Sequence, residues 1–327
     1  MGLIQTSAIT GPSVWKAKDF EDPSWIYHLS QNDIAEIDEA LENQRASGTP
    51  FPSFRREHFP LPVLFSRLAE ITEELENGRG FALMRGLPVD RYSDDDINAI
   101  YYGLALNLGQ PVGQNPQGDL IGQVMNVGDL NDKNTRVYQT NLYLPYHTDP
   151  SDVVGLLCLR KAKSGGLSSL VSVHAVHNEL VKRFPEYLGL FYKQWYYAHL
   201  GEDLPSPTSL FAMHDGKLNF RYLRQYIELG HEIRNHPLSA VEIEALDILD
   251  SIIQQPELRL DMMLEPGDIQ LANNHLVLHS RTSFEDFEEQ EKRRKLLRLW
   301  LKMPNARKQP PGFPGRNGFA LPEIGGV

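Results

Sequence analysis

The sequence has little of what marks disulfide-rich, membrane-spanning or nucleic-acid-binding proteins. It contains one cysteine, Cys158, in 327 residues, which excludes an internal disulfide framework. No stretch approaches the roughly 20 apolar residues that span a bilayer, so no membrane segment is predicted. The net charge of −11 argues against general binding to nucleic acid, because that affinity comes from neutralised phosphates. We therefore expect neither a membrane nor a nucleic acid as a partner.

The N-terminal residues also lack the basic region and apolar core of a secretory signal. A single cysteine within an apolar run is typical of a reducing compartment, and a cytoplasmic location is expected. The hydrophobic content of 41% is ordinary for a globular enzyme. The composition leaves open whether identical copies of the chain assemble.

His147 and Asp149 are the first candidate pair for a metal site. Residues 139–146 lead into His147, and a near-continuous apolar run, residues 153–159, follows the pair. Residues two apart in an extended chain point to the same side, so His147 and Asp149 can reach one ion while Thr148 faces away. Asp149 also precedes Pro150, and an aspartate that closes a turn is the alternative interpretation.

A second histidine, His279, is predicted at the end of a strand further along the chain. Residues 269–272 and 275–279 have the pattern of a hairpin, with Asn273 and Asn274 as its tight turn. His279 lies where the returning strand leaves the sheet, and Arg281 follows it. Two interpretations of Arg281 are open, a contact with an anionic substrate group and an ion pair with an acid such as Glu285.

Two arginines lie on one face of the last predicted strand. Arg294 and Arg298 alternate there with Leu296 and Trp300, whereas Leu297, Leu299 and Leu301 share the opposite face. A buried guanidinium without an anion is costly, so each arginine needs a negative partner. That partner is either an internal carboxylate or an anionic ligand, and the strand pattern leaves both open.

These residue types suit one kind of iron chemistry. Two histidines and one carboxylate on one face of a metal leave positions open for a substrate and O2, as in non-haem Fe(II) oxygenases. A downstream arginine supplies a planar fork for a dicarboxylate such as 2-oxoglutarate. His147, Asp149 and His279 are therefore candidate metal ligands and catalytic residues, and Arg294 and Arg298 are candidate anion-binding residues.

The pattern along the chain predicts an α+β fold. Helices are predicted at four places: from Ser30 or Asp33 through Gln44, over residues 61–77, from Ser93 to near Gly109, and over residues 238–254. Many short strands between proline and glycine turns favour a jelly roll over βαβ units. We interpret residues 1–327 as one domain, a double-stranded β-helix core with flanking helices. A long insert, roughly residues 174–262, is expected to cover the active site.

Several short motifs also carry a resemblance to a known family. They are Phe-Ala-Leu-Met-Arg-Gly-Leu-Pro at 81–88, Leu-Asn-Leu-Gly at 106–109, Tyr-His-Thr-Asp at 146–149, Gly-Gly-Leu-Ser at 165–168, Pro-Gly-Asp at 266–268, Asn-Asn-His-Leu-Val-Leu-His at 273–279 and Arg-Lys-Leu-Leu-Arg at 294–298. In this combination the chain resembles the taurine dioxygenase (TauD/TfdA) family of Fe(II)/2-oxoglutarate-dependent oxygenases. The resemblance covers most of the chain.

The resemblance implies the same iron ligands and adds roles for other residues. Arg294 would hold the distal carboxylate of the co-substrate 2-oxoglutarate. Ser168, where the family often has threonine, would give a hydroxyl to the same carboxylate. Arg298 would lie near the metal-chelating end of 2-oxoglutarate or contact the substrate.

Substrate contacts are expected from residues that flank the ligands in the sequence. Tyr146 stands where many relatives have tryptophan, and Asn141 and Tyr143 precede it. Arg298 and part of the insert complete the expected pocket. An ordinary strand or turn role is the alternative for each of these residues.

The activity that the resemblance implies is oxidation of a small carboxylate- or amine-bearing substrate, with release of succinate and CO2. Hydroxylation, desaturation and oxidative cyclisation are all compatible with it, whereas the carboxylate of Asp149 argues against halogenation because it fills the position that a halide needs. Two alternatives are a same-fold iron enzyme that does not use 2-oxoglutarate and a catalytically silent binding protein. Arg294 argues against the first, and the three intact ligands argue against the second.

Overall fold

The computed structural model describes residues 3–127, 139–198, 205–311 and residue 313. Within these residues the chain forms seven α-helices. They are α1 (Gln31–Ala46), α2 (Leu64–Asn77), α3 (Asp94–Leu108), α4 (Val173–Arg183), α5 (Leu188–Tyr192), α6 (Arg224–Ile233) and α7 (Ala240–Ile253). In this described part, no helix has both the length and the apolar character needed to cross a membrane.

The ends of the predicted helices follow local capping signals. The side chain of Ser30 accepts a hydrogen bond from the backbone N–H of Asp33, and Ser93 does the same for Asp96. These bonds satisfy N–H groups that would otherwise lack a partner in the first turns of α1 and α3. α2 ends at Gly78, as expected of a helix-stop residue. The four predicted helices, α1, α2, α3 and α7, are thus confirmed to within a few residues.

The strands are short and numerous. In chain order they are β1 (Tyr27–His28), β2 (Phe81–Arg85), β3 (Gln110–Val112), β4 (Ile121–Met125), β5 (Leu144–His147), β6 (Val153–Arg160), β7 (Ser164–Gly165), β8 (Ser168–Ser172), β9 (Trp195–Tyr197), β10 (Ser206–Thr208), β11 (Phe211–His214), β12 (Lys217–Phe220), β13 (Arg259–Met262), β14 (Ile269–Asn273), β15 (Val277–Arg281), β16 (Phe284–Glu285) and β17 (Lys295–Lys302).

Two sheets face each other and form the core. The major sheet has the strand order β1-β2-β14-β6-β17-β3, with β4 also paired to β17, and the minor sheet has the order β13-β8-β15-β5. Leu170 and Val277 of the minor sheet pack in one cluster with Val154 and Trp300 of the major sheet. This double-stranded β-helix with added helices confirms the predicted α+β jelly-roll core.

The outer face of the major sheet packs against α1, α2 and α3. Leu297, Leu299 and Leu301 of β17 belong to that apolar cluster, while Trp300 points into the space between the two sheets. The alternation predicted for this strand is confirmed. Full burial of each leucine contributes about 1.5–3 kcal/mol, so a shift of register by one residue would be strongly disfavoured.

The predicted hairpin over residues 269–279 is wrong. β14 belongs to the major sheet and β15 to the minor sheet, so these two strands are not paired. The turn at residues 274–276 carries the chain from one sheet to the other, and His275 lies in this turn. Asn273 donates from its side chain to the carbonyl of Leu75, and Asn274 accepts from the backbone N–H of Asp149. The two asparagines therefore hold a crossover between the sheets.

The segment between β8 and β13 contains α4 to α7 and the hairpins β9–β10 and β11–β12. Its apolar cluster includes Val171, Leu278 and Tyr146 from the outer face of the minor sheet. The main body of the segment thus packs on the side of the minor sheet that faces away from the core, which corrects the expectation that the whole insert covers the site. Residues 199–204 of the predicted insert lie outside the described residues.

The predicted end of this insert, near residue 262, needs correction. β13 pairs with β8, so residues 259–262 belong to the minor sheet. At the other end, β8 stops at Ser172, whose side chain caps α4 by accepting from the backbone N–H of Ala175. α4, α5 and α6 were missed because tertiary packing in the cluster that includes Val176 and Leu249 decides their structure.

Candidate metal centre and anion pocket

His147, Asp149 and His279 converge on one point between the two sheets. β5 ends at His147, and β15 places His279 directly opposite it, with the ring centroids 4.2 Å apart. Asp149 follows β5, and its Oδ2 lies 3.6 Å from Nε2 of His279. One ligand atom from each residue lies within 4.8 Å of the others, and all three residues are buried. The structure therefore brings the predicted ligands together.

Hydrogen bonds orient this metal group. His147 Nδ1 lies 2.8 Å from the carbonyl oxygen of Pro145, which can only accept, so Nδ1 carries the proton and Nε2 keeps its lone pair. Trp300 Nε1 donates to Oδ2 of Asp149 at 3.0 Å. The backbone N–H of Asp149 donates to Asn274 at 2.9 Å. Such partners fix the orientation of metal ligands before a metal binds.

Charges around the group favour the protonation states that bind a metal. Burial lowers the pKa of His147 to about 4, and the neighbouring His279 adds to this effect. Burial opposes ionisation of Asp149, but Arg298, with Nη1 4.0 Å from Oδ1, and both histidines together hold the pKa of that carboxyl well below its usual range. At neutral pH His147 is therefore neutral and Asp149 is ionised.

This donor set fits Fe(II). Two imidazole nitrogens and one carboxylate oxygen form the three-residue group that open non-haem iron sites use. Ligand atoms about 2.1 Å from a shared ion and roughly at right angles to each other would be separated by about 3 Å. The distance of 3.6 Å between His279 Nε2 and Asp149 Oδ2 would therefore have to shorten only slightly for both atoms to bind one ion.

Arg294 is buried, and no described carboxylate forms an ion pair with its guanidinium. It is 5% exposed, and no described residue forms a hydrogen bond with its Nη1. Burial lowers its pKa to about 10. Gly166, at a φ of +72°, allows the chain to pass so close that a Cβ there would lie 3.2 Å from Arg294 Nε. A buried donor of this kind fits an anionic ligand, because an unmade charged hydrogen bond is costly.

Ser168 and Arg298, the other predicted co-substrate contacts, also lie on inner faces of the two sheets. Ser168 Oγ donates to the side chain of Gln270 at 2.7 Å. Arg298 Nε donates to Gln114 at 2.8 Å, and its guanidinium stacks on the ring of Trp300. Arg298 therefore lies between the carboxylate of Asp149 and the inner face of the major sheet and contacts both.

The structure does not bring Tyr146 to the metal group. Its side chain points to the opposite face of β5 from His147, where its hydroxyl hydrogen bonds with Ser169 and burial raises its pKa to about 12. Tyr143, 43% exposed, and Tyr146 line a cavity of about 210 Å3 bounded by α6 and α7. Asn141 contributes a backbone carbonyl, which accepts from the N–H of Phe284. Successive side chains of an extended strand point to opposite faces. The alternation that places His147 and Asp149 on one side therefore places Tyr146 on the other, away from the metal group.

Two residues near the metal group were missed in the sequence. Arg221 and Tyr197, both from the segment between β8 and β13, are buried. Burial lowers the pKa of Arg221, whereas electrostatic interactions with Tyr197 and, more weakly, with Asp149 raise it. Its backbone neighbour Tyr222 accepts at its carbonyl from the N–H of Thr148 at 2.9 Å. Nothing in the sequence ties Arg221 to the ligands, because the connection depends on how the hairpin β11–β12 packs.

Known proteins share this arrangement of strands. A family model described as Taurine catabolism dioxygenase TauD, TfdA family matches residues 47–300. FR-33289 synthase of Streptomyces rubellomurinus is 36% identical over 318 residues, which cover 94% of each chain. A structure of asparagine oxygenase with Fe(II), 2S,3S-3-hydroxyasparagine and succinate has a TM-score of 0.67 and 18% identity, covering 85% of this chain and 93% of that one.

A structure of the non-haem iron oxygenase OrfP with Fe and alpha-ketoglutaric acid has a TM-score of 0.64 and 16% identity, over 84% of this chain and 93% of that one. These two solved structures show a common fold. The family model covers most of the chain, and the Streptomyces relative is similar along nearly its whole length. The chain belongs to the TauD/TfdA family.

Proposed function

We propose that this protein is an Fe(II)- and 2-oxoglutarate-dependent oxygenase that oxidises a small substrate with an anionic or amine group. The proposal is carried by two features together: a buried group of two histidines and one carboxylate, and the buried Arg294, whose Nη1 has no hydrogen-bond partner among the described residues. The first feature suits Fe(II) and the second suits a dicarboxylate. The iron and alpha-ketoglutaric acid bound by OrfP, which has the same fold, support this combination.

His147, Asp149 and His279 would hold the iron. When bound, iron with 2-oxoglutarate supplies a two-electron oxidation in which O2 is consumed and 2-oxoglutarate becomes succinate and CO2. The chain holds His147 neutral and Asp149 ionised, so no proton has to leave these two ligands at neutral pH. Trp300 keeps the carboxylate of Asp149 in one orientation.

Arg294 would hold the distal carboxylate of 2-oxoglutarate through its planar fork. Ser168, now hydrogen bonded to Gln270, would offer its hydroxyl to the same group. Gly166 keeps the space over Arg294 open, because a side chain there would contact the guanidinium. Arg298 would stand near the metal-chelating end of 2-oxoglutarate or near the substrate.

The substrate side of the site would be formed by Arg298 and Arg221. Arg298 and Arg221 come from different parts of the fold, and the positive charge of each interacts with the carboxylate of Asp149. Two cations at this place favour a substrate with a carboxylate or another anionic group. The hydroxyasparagine in asparagine oxygenase supports an amino-acid-like substrate. We further propose that residues 1–327 form one domain and that the edge of the insert at Tyr197 and Arg221 excludes water from the site.

Succinate formation tests the proposal. The purified protein, loaded with Fe(II) under argon, would be given 2-oxoglutarate, O2 and a panel of amino acids, other carboxylates and amines. We expect succinate well above the substrate-free background with at least one compound, and none with His147→Ala. Failure of the metal-loaded protein to bind 2-oxoglutarate by calorimetry would contradict the proposal and would favour an iron enzyme of another kind or a binding protein.

A further inference from the structure

Arg281 is a second buried arginine close to Arg294. It lies on β15, two residues after His279, and is 4% exposed. Its Nη2 donates to the carbonyl oxygens of Thr140 and Leu142, while Nε and Nη1 are buried and have no hydrogen-bond partner in the part of the chain that the structure describes. Among the described residues, no carboxylate forms an ion pair with this guanidinium, and Glu285, the predicted alternative, instead accepts from Ser164. Two of its three nitrogens are thus available to a ligand.

Arg281 and Arg294 share one aromatic surface. The guanidinium carbon of Arg281 lies 4.7 Å from the ring centroid of Phe284, and that of Arg294 lies 5.2 Å from it. The two cations repel each other, and the negative charge of Asp286 stabilises both of them. One Oδ of Asp286 accepts from the backbone N–H of Arg294. Two buried positive charges therefore face one negative charge, and one more carboxylate would balance them.

The surrounding strands place Arg281 at the end of the site where that carboxylate would lie. Arg281 is directly opposite Ser168 in the register of β15 and β8, so the two side chains point to the same face. Gly166, two residues before Ser168, lies against Arg294. Arg281, Ser168 and Arg294 thus surround one region, although they come from three different strands or strand ends.

We infer that Arg281 is a second binding residue for the distal carboxylate of 2-oxoglutarate, which it would contact through Nε and Nη1 while Nη2 stays on the loop of Thr140 and Leu142. This inference rests on the proposed function and deepens it. A site with two guanidiniums favours a 2-oxo acid with a distal carboxylate over one that ends in a methyl group, because the latter leaves two buried cations with only the single negative charge of Asp286.

Calorimetry with two co-substrates tests this role. The full-length protein would be loaded with Mn(II) under argon and titrated with 2-oxoglutarate and with 2-oxopentanoate, in which a methyl group replaces the distal carboxylate. Arg281→Gln should weaken binding of 2-oxoglutarate by about 10- to 100-fold, as loss of a charged hydrogen bond predicts, and should leave 2-oxopentanoate unchanged. Arg281→Lys, which keeps the charge but not the fork, should give a smaller loss.

Arg293→Gln is the matched control, because Arg293 donates to the carbonyl oxygens of Phe287 and Glu288 and should not affect either ligand. Equal weakening of both ligands, or no weakening of either, in Arg281→Gln would overturn the inference and leave Arg281 as a support for the loop. If Arg281→Gln does not fold, the ratio of the two affinities in Arg281→Lys decides in the same way. A wild-type protein that fails to bind 2-oxoglutarate would contradict the proposed function itself, which is a different outcome.

Discussion

Trp300 donates its indole N–H to the carboxylate of Asp149, so β17 of the major sheet orients a ligand that follows β5 of the minor sheet. Trp300→Phe would keep most of the buried ring but remove this donor. We expect metal affinity to fall by about 10- to 100-fold, as is usual when a residue that orients a metal ligand is lost. Calorimetry with Mn(II) measures this change.

Trp195→Phe is the control for that substitution, since Trp195 donates to the carbonyl of Leu190 in the cluster on the outer face of the minor sheet. It should leave metal affinity unchanged. Equal metal affinity in Trp300→Phe and wild type would show that the hydrogen bond does not prepare the ligand.

His279→Ala removes a ligand itself and should weaken metal binding more than Trp300→Phe does. In the wild-type protein, Mn(II) at 100 times its Kd should add about 2.7 kcal/mol to the free energy of unfolding, and a chelator should remove this gain. The variant should show no such gain. His275→Gln, at a buried histidine in the crossover turn, is the control that should retain it. Stabilisation of His279→Ala by metal would mean that the three residues are not the binding group.

Arg294→Lys should weaken binding of 2-oxoglutarate by roughly tenfold or more, because lysine cannot form the two parallel hydrogen bonds of a guanidinium. The measurement is the apparent affinity for 2-oxoglutarate with a fixed concentration of metal. Arg293→Lys should have no effect. If Arg294→Lys bound 2-oxoglutarate as wild type does, the anion-binding role would move to Arg298.

Tyr146→Phe should lower stability and leave catalysis unchanged. The substitution removes a buried hydroxyl that hydrogen bonds with Ser169, which should cost about 0.5–1.5 kcal/mol in the free energy of unfolding. Because this side chain faces away from His147, succinate formation should stay coupled to substrate oxidation. A variant that consumed 2-oxoglutarate without oxidising substrate would return Tyr146 to the substrate pocket.

Buried histidines should make the metal-free protein sensitive to acid. Burial lowers the pKa of His174 to about 3, whereas the unfolded chain titrates near 6.5. The unfolded state then binds a proton that the folded state does not, so this stability is fully present above pH 6.5 and is lost as the pH falls. The pKa of His147, lowered to about 4, changes stability with pH in the same direction. The pKa of Asp152, raised to about 6 by burial, changes it in the opposite direction.

His174→Gln isolates one of these contributions away from the metal group. Between pH 7.5 and pH 5, the loss in the free energy of unfolding should be about 2 kcal/mol smaller in the variant than in wild type. Urea unfolding with a chelator present measures it at both pH values. An identical loss in both proteins would show that His174 takes up a proton in the folded state.

Much of the metal centre could be predicted from local patterns. Strand alternation placed His147 and Asp149 on one side and separated the two faces of β17, and the convergence of the ligand atoms agrees with the first of these. Helix caps such as Ser30 and Ser93 located α1 and α3. The prediction of a hairpin over residues 269–279 failed because the pattern shows two strands joined by a turn but does not show which strands pair with each other.

The sequence by itself determined the donor types, the side of each strand on which they lie and where the capped helices begin, because those properties depend on neighbours along the chain. Only the tertiary structure decided that Trp300 reaches Asp149, 151 residues away, that Arg281 and Arg294 share the ring of Phe284, and that the insert packs behind the minor sheet. The physical reason is that such contacts depend on which apolar faces are buried together, and a single strand or helix is compatible with more than one partner.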